Sequence, residues 1–173
     1  YEDGNYKYEK LQKKGYSMVI WLIGMSASGK TTIGKKLYDK LKASDEKWII
    51  LDGDTFRNIF GEDLGHNIED RKKNAYRISR FCEFLSSQGI KVLACVLSIF
   101  HDNQQYNKEN IAGYKEVYID VNFDELVRRD NKNLYTKALK GEIKDVVGVD
   151  IEFNPPFSPD LVIDNNKHNP DFE

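Results

Sequence analysis

Apolar positions first close up at Met18-Val19-Ile20-Trp21-Leu22-Ile23, a continuous run that stops at Gly24. A run apolar on both faces predicts a central parallel strand, because only a strand covered on both sides lacks a polar face. The spacing then changes. Ile33, Leu37 and Leu41 recur at helical intervals with lysines on the other face, which predicts an amphipathic helix. Trp48-Ile49-Ile50-Leu51, ending at Asp52, predicts a second strand. A long helix follows from Asn67 to Gln88, with Asn67 as N-cap, Asp70 in the first turn and Gly89 as the stop. Val92 to Leu97, Val117 to Val121 and Leu161 to Ile163 complete the strands. Strands alternating with helices define an α/β fold: a doubly wound parallel sheet of about five strands with helices on both faces. Ile78, Phe81, Phe84 and Leu85 fall at core spacing on the long helix, and Trp21 and Trp48 read as strand packing. Pro155-Pro156 reads as a rigid turn before the last strand.

Residues 1–16 are polar and read as an N-terminal extension, and residues 17–173 as one domain. Within it, the stretch from Asn131 to about 158 is Lys-rich, then Gly- and Pro-rich, with weak periodicity. Such a segment predicts a lid. The absence of a helix after the fifth strand reads as a trimmed C-terminus. Charged residues are 31% of the 173 and nearly balance at −2, so there is no basic field for nucleic acid and no polybasic patch for a membrane. No apolar run approaches the ~18 residues of a spanning helix. Cys82 and Cys95 lie in apolar surroundings without metal-ligand spacing, which reads as reduced, buried thiols in a cytoplasmic protein.

The first strand leads into Gly24-Met25-Ser26-Ala27-Ser28-Gly29-Lys30-Thr31, which fits G-x-x-x-x-G-K-[ST] at every fixed position, with Thr32 continuing into the helix. Glycines permit the backbone angles that turn successive N–H groups around phosphate oxygens. Lys30 adds charge at the β- and γ-phosphates, the Thr31 hydroxyl is a Mg²⁺ ligand, and the helix that follows points its positive end at the anion. These residues predict ATP binding. The second strand ends in Asp52-Gly53-Asp54, beside the loop where open sheets bind ligands. One carboxylate there can hold Mg²⁺ through water and the other can orient an attacking hydroxyl and take its proton; Asp52 is the metal candidate and Asp54 the catalytic one. The bland alternative is an Asp-Gly turn. Arg71, Asn74 and Arg77 recur along one face of the long helix, either as a phosphate-reading face or as an ordinary solvated one.

Together these residues resemble the adenylylsulfate (APS) kinase family. The resemblance runs from about Val19 to Asn165 through GMSASGKTT, LDGDTFR, EDRKKNAYRI and YIDVNFDELVRRDNKNLYTKALKGEIKDVVGVD. It implies a kinase that uses ATP and Mg²⁺ to phosphorylate the ribose 3′-hydroxyl of APS, usually as a homodimer. Residue by residue it implies that Lys30 and Thr31 serve ATP and Mg²⁺, that Asp54 is catalytic, and that Arg57, Arg71 and Asn74 bind the acceptor. Arg129 falls near the ATP base, Lys137 matches a lid lysine that reaches the phosphates, and Ser98, Phe100 and Lys144 fall on the acceptor side.

Three departures bear on the acceptor. The family clamps adenine between two phenylalanines; His66 stands at one position and Val146 at the other. The family's Ser-Pro-aromatic segment with arginines reads Ser98-Ile99-Phe100-His101-Asp102-Asn103-Gln104 here. Each stacked ring contributes about 0.5–1.5 kcal/mol beyond area burial, so a purine site without both is weakened. These changes favour a related acceptor, the cytidine diphosphoramidate of capsule biosynthesis, with its smaller base. APS remains the alternative, with His66 and either Phe56 or Phe100 supplying the rings. The rival from another class is a non-catalytic nucleotide-binding switch, which needs the loop but not the acceptor-side Asp, Arg and Asn.

Overall fold

The computed structural model of the protein describes residues 17–61, 63–130 and 132–166. The N-terminal extension, the question of a final helix, and His168 lie outside the described residues.

The described chain runs β1 (Val19–Ile23), α1 (Lys30–Ser44), β2 (Trp48–Asp52), α2 (Gly53–Ile59), α3 (Ile68–Ser87), β3 (Lys91–Val96), α4 (His101–Asn110), β4 (Tyr114–Asp120), α5 (Phe123–Arg128), α6 (Leu134–Leu139) and β5 (Leu161–Asp164). The strands form one sheet in the order β2-β3-β1-β4-β5, every pair parallel. β1 therefore lies between β3 and β4, where the chain's path across the sheet reverses. Ligands of open α/β sheets bind at that point, outside the carboxyl ends of the strands.

Strand alternation divides the core between the two faces. Val19, Trp21, Ile23, Val92, Ala94 and Val96 pack on one side with Phe56, Ile78 and Cys82. Leu22, Leu93, Cys95 and Ile119 pack on the other with Leu126, Tyr135 and Val146. Apolar runs without a polar face are thus accounted for by helices on both sides. On the second side α1 comes close to the sheet at Gly34, where a Cβ would collide with the Cys95 thiol. Both cysteines are free and buried. Among the described residues no helix is long and apolar enough to cross a membrane.

Two expectations are corrected. Phe81 and Phe84 are 38% and 59% exposed, because the stripe of α3 that meets the sheet runs through Asn74, Ile78, Cys82 and Ser86 instead. Phe81 settles against Phe56, with ring centroids 5.6 Å apart. The segment read as a lid is also less irregular than its composition implies. It carries α6 and a bridge between Val147 and Ile151, and it buries Tyr135, Ala138, Val146, Val147 and Ile151.

Candidate active site

The loop after β1 is built from unusual backbone angles. Ala27 (φ 62°) and Gly29 (φ 94°) both lie in the left-handed region. At Gly24 a Cβ would come within 2.7 Å of Ser28 Oγ and 2.9 Å of the Ile119 carbonyl, so the loop tolerates no side chain there. Two of its carbonyls are held by distant side chains: the Tyr135 hydroxyl donates to Ser26 O at 2.9 Å, and Asn165 Nδ2 donates to Ser28 O at 2.9 Å. In a trans peptide the N–H points opposite to the C=O, so the amides of Ala27 and Gly29 face away from those partners. Ser28 Oγ is buried without a hydrogen-bond partner, an acceptor and donor awaiting a ligand group. Lys30 Nζ donates to Met25 O at 2.6 Å. Burial pulls its ammonium down from 10.5 to about 8, although Cys95, Asp52 and Asp54 act in the opposite direction. A bound polyanion would supply the missing counter-charge.

β2 delivers the carboxylates. Asp52 caps α2, accepting from the N–H groups of Asp54 at 3.0 Å and Thr55 at 3.5 Å, while its other oxygen accepts from Thr31 Oγ1 at 2.9 Å. That hydroxyl–carboxylate pair joins the phosphate loop to the neighbouring strand. It fits Mg²⁺, which binds through one or two protein oxygens and keeps water and phosphate for the rest. No cluster of three or more His, Cys, Asp or Glu that could hold a metal ion occurs among the described residues. Asp54 opens α2 with its carboxylate exposed and pairs with Lys132 at 3.2 Å. Its charge acts on both Lys30 and His66, so it is within electrostatic reach of the phosphate loop and of the loop that carries His66.

Those residues form a second cluster. Arg57 Nη1 donates to the carbonyls of Leu64 at 2.9 Å and Gly65 at 3.0 Å. Arg71 donates from Nε to His66 O at 2.5 Å and from Nη2 to Asp145 O at 2.7 Å. The two guanidiniums repel one another, so an anion placed between them is attracted to both. They also hold the loop that presents His66, and Arg71 ties it to the Asp145 carbonyl. Partial desolvation, then Arg57 and Arg71, pull the exposed His66 imidazole below its usual value, which keeps the ring neutral near pH 7. Asn74 is buried, and its Oδ1 has no partner.

The remaining expected site residues have the following surroundings. Val146 is 3% exposed and packs into the core on the second face of the sheet, so its side chain turns no face toward a base. Phe56 is 1% exposed and cannot supply a second ring either. Arg77 leaves the face of Arg71 and Asn74 and makes a two-point ion pair with Asp63 at 2.8 Å. Ser98 sits in the left-handed region (φ 48°) at the end of β3, its hydroxyl and carbonyl receiving Gln104 Nε2 at 3.3 and 3.4 Å. Phe100 caps α4 beneath Lys72. Thr32, Lys137 and Lys144 are exposed. Arg129 reaches the phosphate loop indirectly: its Nη2 donates to Asn165 O at 2.8 Å, and Asn165 holds Ser28.

Tyr135, Asn165 and Lys132 were not singled out by sequence reasoning. A buried tyrosine in a segment read as a lid, and an Asn just past the last strand, are visible signals, but nothing in their local pattern names their partners.

A phosphate loop with a half-buried lysine, a hydroxyl–carboxylate pair beside it and an exposed aspartate at the next strand's tip define a P-loop kinase. The chain belongs to the adenylylsulphate kinase family, whose profile matches residues 16–164. It is 45% identical over 159 residues to the cytidine diphosphoramidate kinase of Campylobacter jejuni subsp. jejuni serotype O:2, covering 90% of this chain and 91% of that protein. It is 36% identical to the adenylyl-sulfate kinase of Bacillus velezensis, covering 93% and 83% of the two chains. Among solved structures, the Mycobacterium tuberculosis APS kinase in complex with AMPPNP and APS superposes with a TM-score of 0.77 at 29% identity, covering 86% of this chain and 88% of that one.

Proposed function

We propose that the protein transfers the γ-phosphate of ATP to the ribose 3′-hydroxyl of cytidine diphosphoramidate. The observation that carries the choice of acceptor is the one-sided base site: His66 is exposed, while Val146, at the position of the family's second ring, is buried. A purine clamped on one face only forgoes about 0.5–1.5 kcal/mol of stacking, a loss that weighs less on a smaller pyrimidine. The 45% identity to a cytidine diphosphoramidate kinase supports the same reading.

In this reading the amides of residues 24–32, with Lys30, hold the triphosphate, and Thr31 and Asp52 hold Mg²⁺, which neutralises charge on the phosphates. Arg129 lies on the side of the ATP base. Arg57, Arg71 and Asn74 bind the acceptor's anionic and polar groups beside Ser98, Phe100 and Lys144, and His66 stacks on the base. Asp54 accepts the 3′-hydroxyl proton as that oxygen bonds to the γ-phosphorus; the bond from γ-phosphorus to the bridging oxygen breaks, and its electron pair leaves with ADP. The lid excludes water from the transfer. The protein works in the cytoplasm as a homodimer, for which exposed Ile59, Phe60 and Phe84 offer apolar surface; a monomeric sedimentation profile would oppose that part.

Steady-state ADP release with each acceptor tests the reading. The expected kcat/KM for cytidine diphosphoramidate exceeds that for APS by at least about tenfold, a difference of about 1.4 kcal/mol. Efficient turnover of APS with none of the cytidine compound would overturn it in favour of adenylylsulfate kinase activity. Nucleotide binding with no turnover of either would favour the switch.

A further inference from the structure

Asn165 stands just past the end of β5, and its polar groups reach three different elements. Its N–H donates to Asp120 O at the end of β4 at 2.9 Å, and its carbonyl accepts from Arg129 Nη2 at 2.8 Å. Its side-chain Nδ2 donates to Ser28 O at 2.9 Å. The backbone is pinned by the first two bonds, and Asn166 adds another by accepting from the N–H of Asn122 at 2.7 Å. Glu125 in turn holds Arg129 Nε at 2.6 Å. The side-chain bond adds nothing to the sheet, whose ladder the Asp120 bond already continues. It goes instead into the phosphate loop, where the fit is close: a Cβ at Gly29 would come within 2.8 Å of Asn165 Nδ2. Ser28 is thus fixed on two sides, its carbonyl by Asn165 and its buried hydroxyl against Gly24.

We infer that Asn165 is a positioning residue for the phosphates of the nucleotide, acting through the Ser28–Gly29 peptide. The inference rests on the proposed kinase reading only so far as the loop holds those phosphates. Ser28 O and Gly29 N–H belong to one trans peptide and point in opposite directions. Holding the carbonyl outward therefore aims the amide inward, where the N–H groups of such a loop cradle the α- and β-phosphates. Gly29 sits at φ 94°, and a glycine reaches many other shapes at little cost. Without the tie the peptide samples orientations that do not meet phosphate. With it, part of the ordering is done before the nucleotide arrives. Arg129 lies on the side of the ATP base in this reading and holds the Asn165 carbonyl, so one residue joins the two ends of the donor site.

Calorimetric titration of the full chain with ADP and with a non-hydrolysable ATP analogue, at fixed Mg²⁺, tests the inference. Asn165→Ala should raise both Kd values by about 3–10-fold and by the same factor, because the cradle amides meet phosphates that both nucleotides carry. The bond from Arg129 survives in this variant, since it goes to the main-chain carbonyl. Asn165→Asp keeps the shape but sets a carboxylate against the Ser28 carbonyl, so its Kd values should be at least as high as those of Asn165→Ala. It also serves as the test should the smaller side chain impair folding. In initial-rate kinetics the ATP KM should rise while kcat and the acceptor KM stay within about twofold, because bound ATP orders the loop. Nucleotide Kd values unchanged in either variant, even with a lowered melting temperature, would overturn this inference alone. So would a fall in kcat at unchanged ATP KM. Wild-type protein that binds neither nucleotide would overturn the kinase reading and this inference with it.

Discussion

Replacing Tyr135 by Phe removes one hydroxyl and leaves nearly everything else in place. The ring is fully buried and packs edge-on against Phe123 at 5.3 Å between centroids, contacts that a phenylalanine keeps. Burial pushes the Tyr135 hydroxyl up to about 12, so it remains a donor to Ser26 O at any working pH. Loss of one such bond removes a net stabilisation of about 0.5–1.5 kcal/mol. For a domain of this size that corresponds to a melting temperature lower by about 1–6 °C. The loop bears the loss, because the bond fixes the peptide whose N–H belongs to Ala27. If the freed loop spends most of its time in shapes that cannot cradle phosphate, the apparent Kd for ATP rises by the inverse of the competent fraction, up to about tenfold. Thermal melts and calorimetric titration with a non-hydrolysable ATP analogue measure the two effects separately. KM for the acceptor should stay unchanged, since Tyr135 touches none of the acceptor-side groups. A lowered melting temperature with an unaltered nucleotide Kd would refute the argument and leave the bond a purely structural one.

Three other outcomes follow from the same geometry. Lys30 titrates near 8 in the ligand-free fold, below its ordinary 10.5, and phosphate contact restores the charged form; ATP affinity should therefore be insensitive to this group below pH 8 and fall above it, by up to about tenfold per pH unit, in titrations at fixed Mg²⁺. The same shift makes the unfolded chain bind more protons between pH 8 and 10.5, so Lys30's unfavourable contribution to stability is relieved as pH rises through that window. Asp150 accepts from the N–H groups of Asp145 at 2.7 Å and Val146 at 2.6 Å, in the loop whose Asp145 carbonyl receives Arg71. Asp150→Ala should loosen that tie and raise the acceptor KM by about 3–10-fold with the ATP KM unchanged, a split that initial-rate kinetics resolves.

Much of the fold was legible because its signals are local. Apolar runs marked all five strands to within a few residues, most clearly β1 and β3, which are covered on both faces and have few polar positions to interrupt them. The phosphate loop was legible for the same reason: eight consecutive residues carry the glycines, the lysine and the hydroxyl that its chemistry needs. The capping of α3 by Asn67 was legible too, since it depends on residues three positions apart, whereas α2 and its cap Asp52 were not read from the sequence. What the sequence did not decide is every relation between segments far apart in the chain. Periodicity placed Phe81 and Phe84 on an apolar helix face but could not say that the sheet meets the stripe through Asn74, Ile78 and Cys82. A substitution at Val146 was readable, but only packing shows that the side chain turns inward. Tyr135 and Asn165 reach the phosphate loop from 109 and 137 positions away, and Lys132 reaches Asp54 from 78. A hydrogen bond or ion pair needs its partners within about 3 Å of each other, and across such separations only the closed tertiary structure determines which side chains come that near.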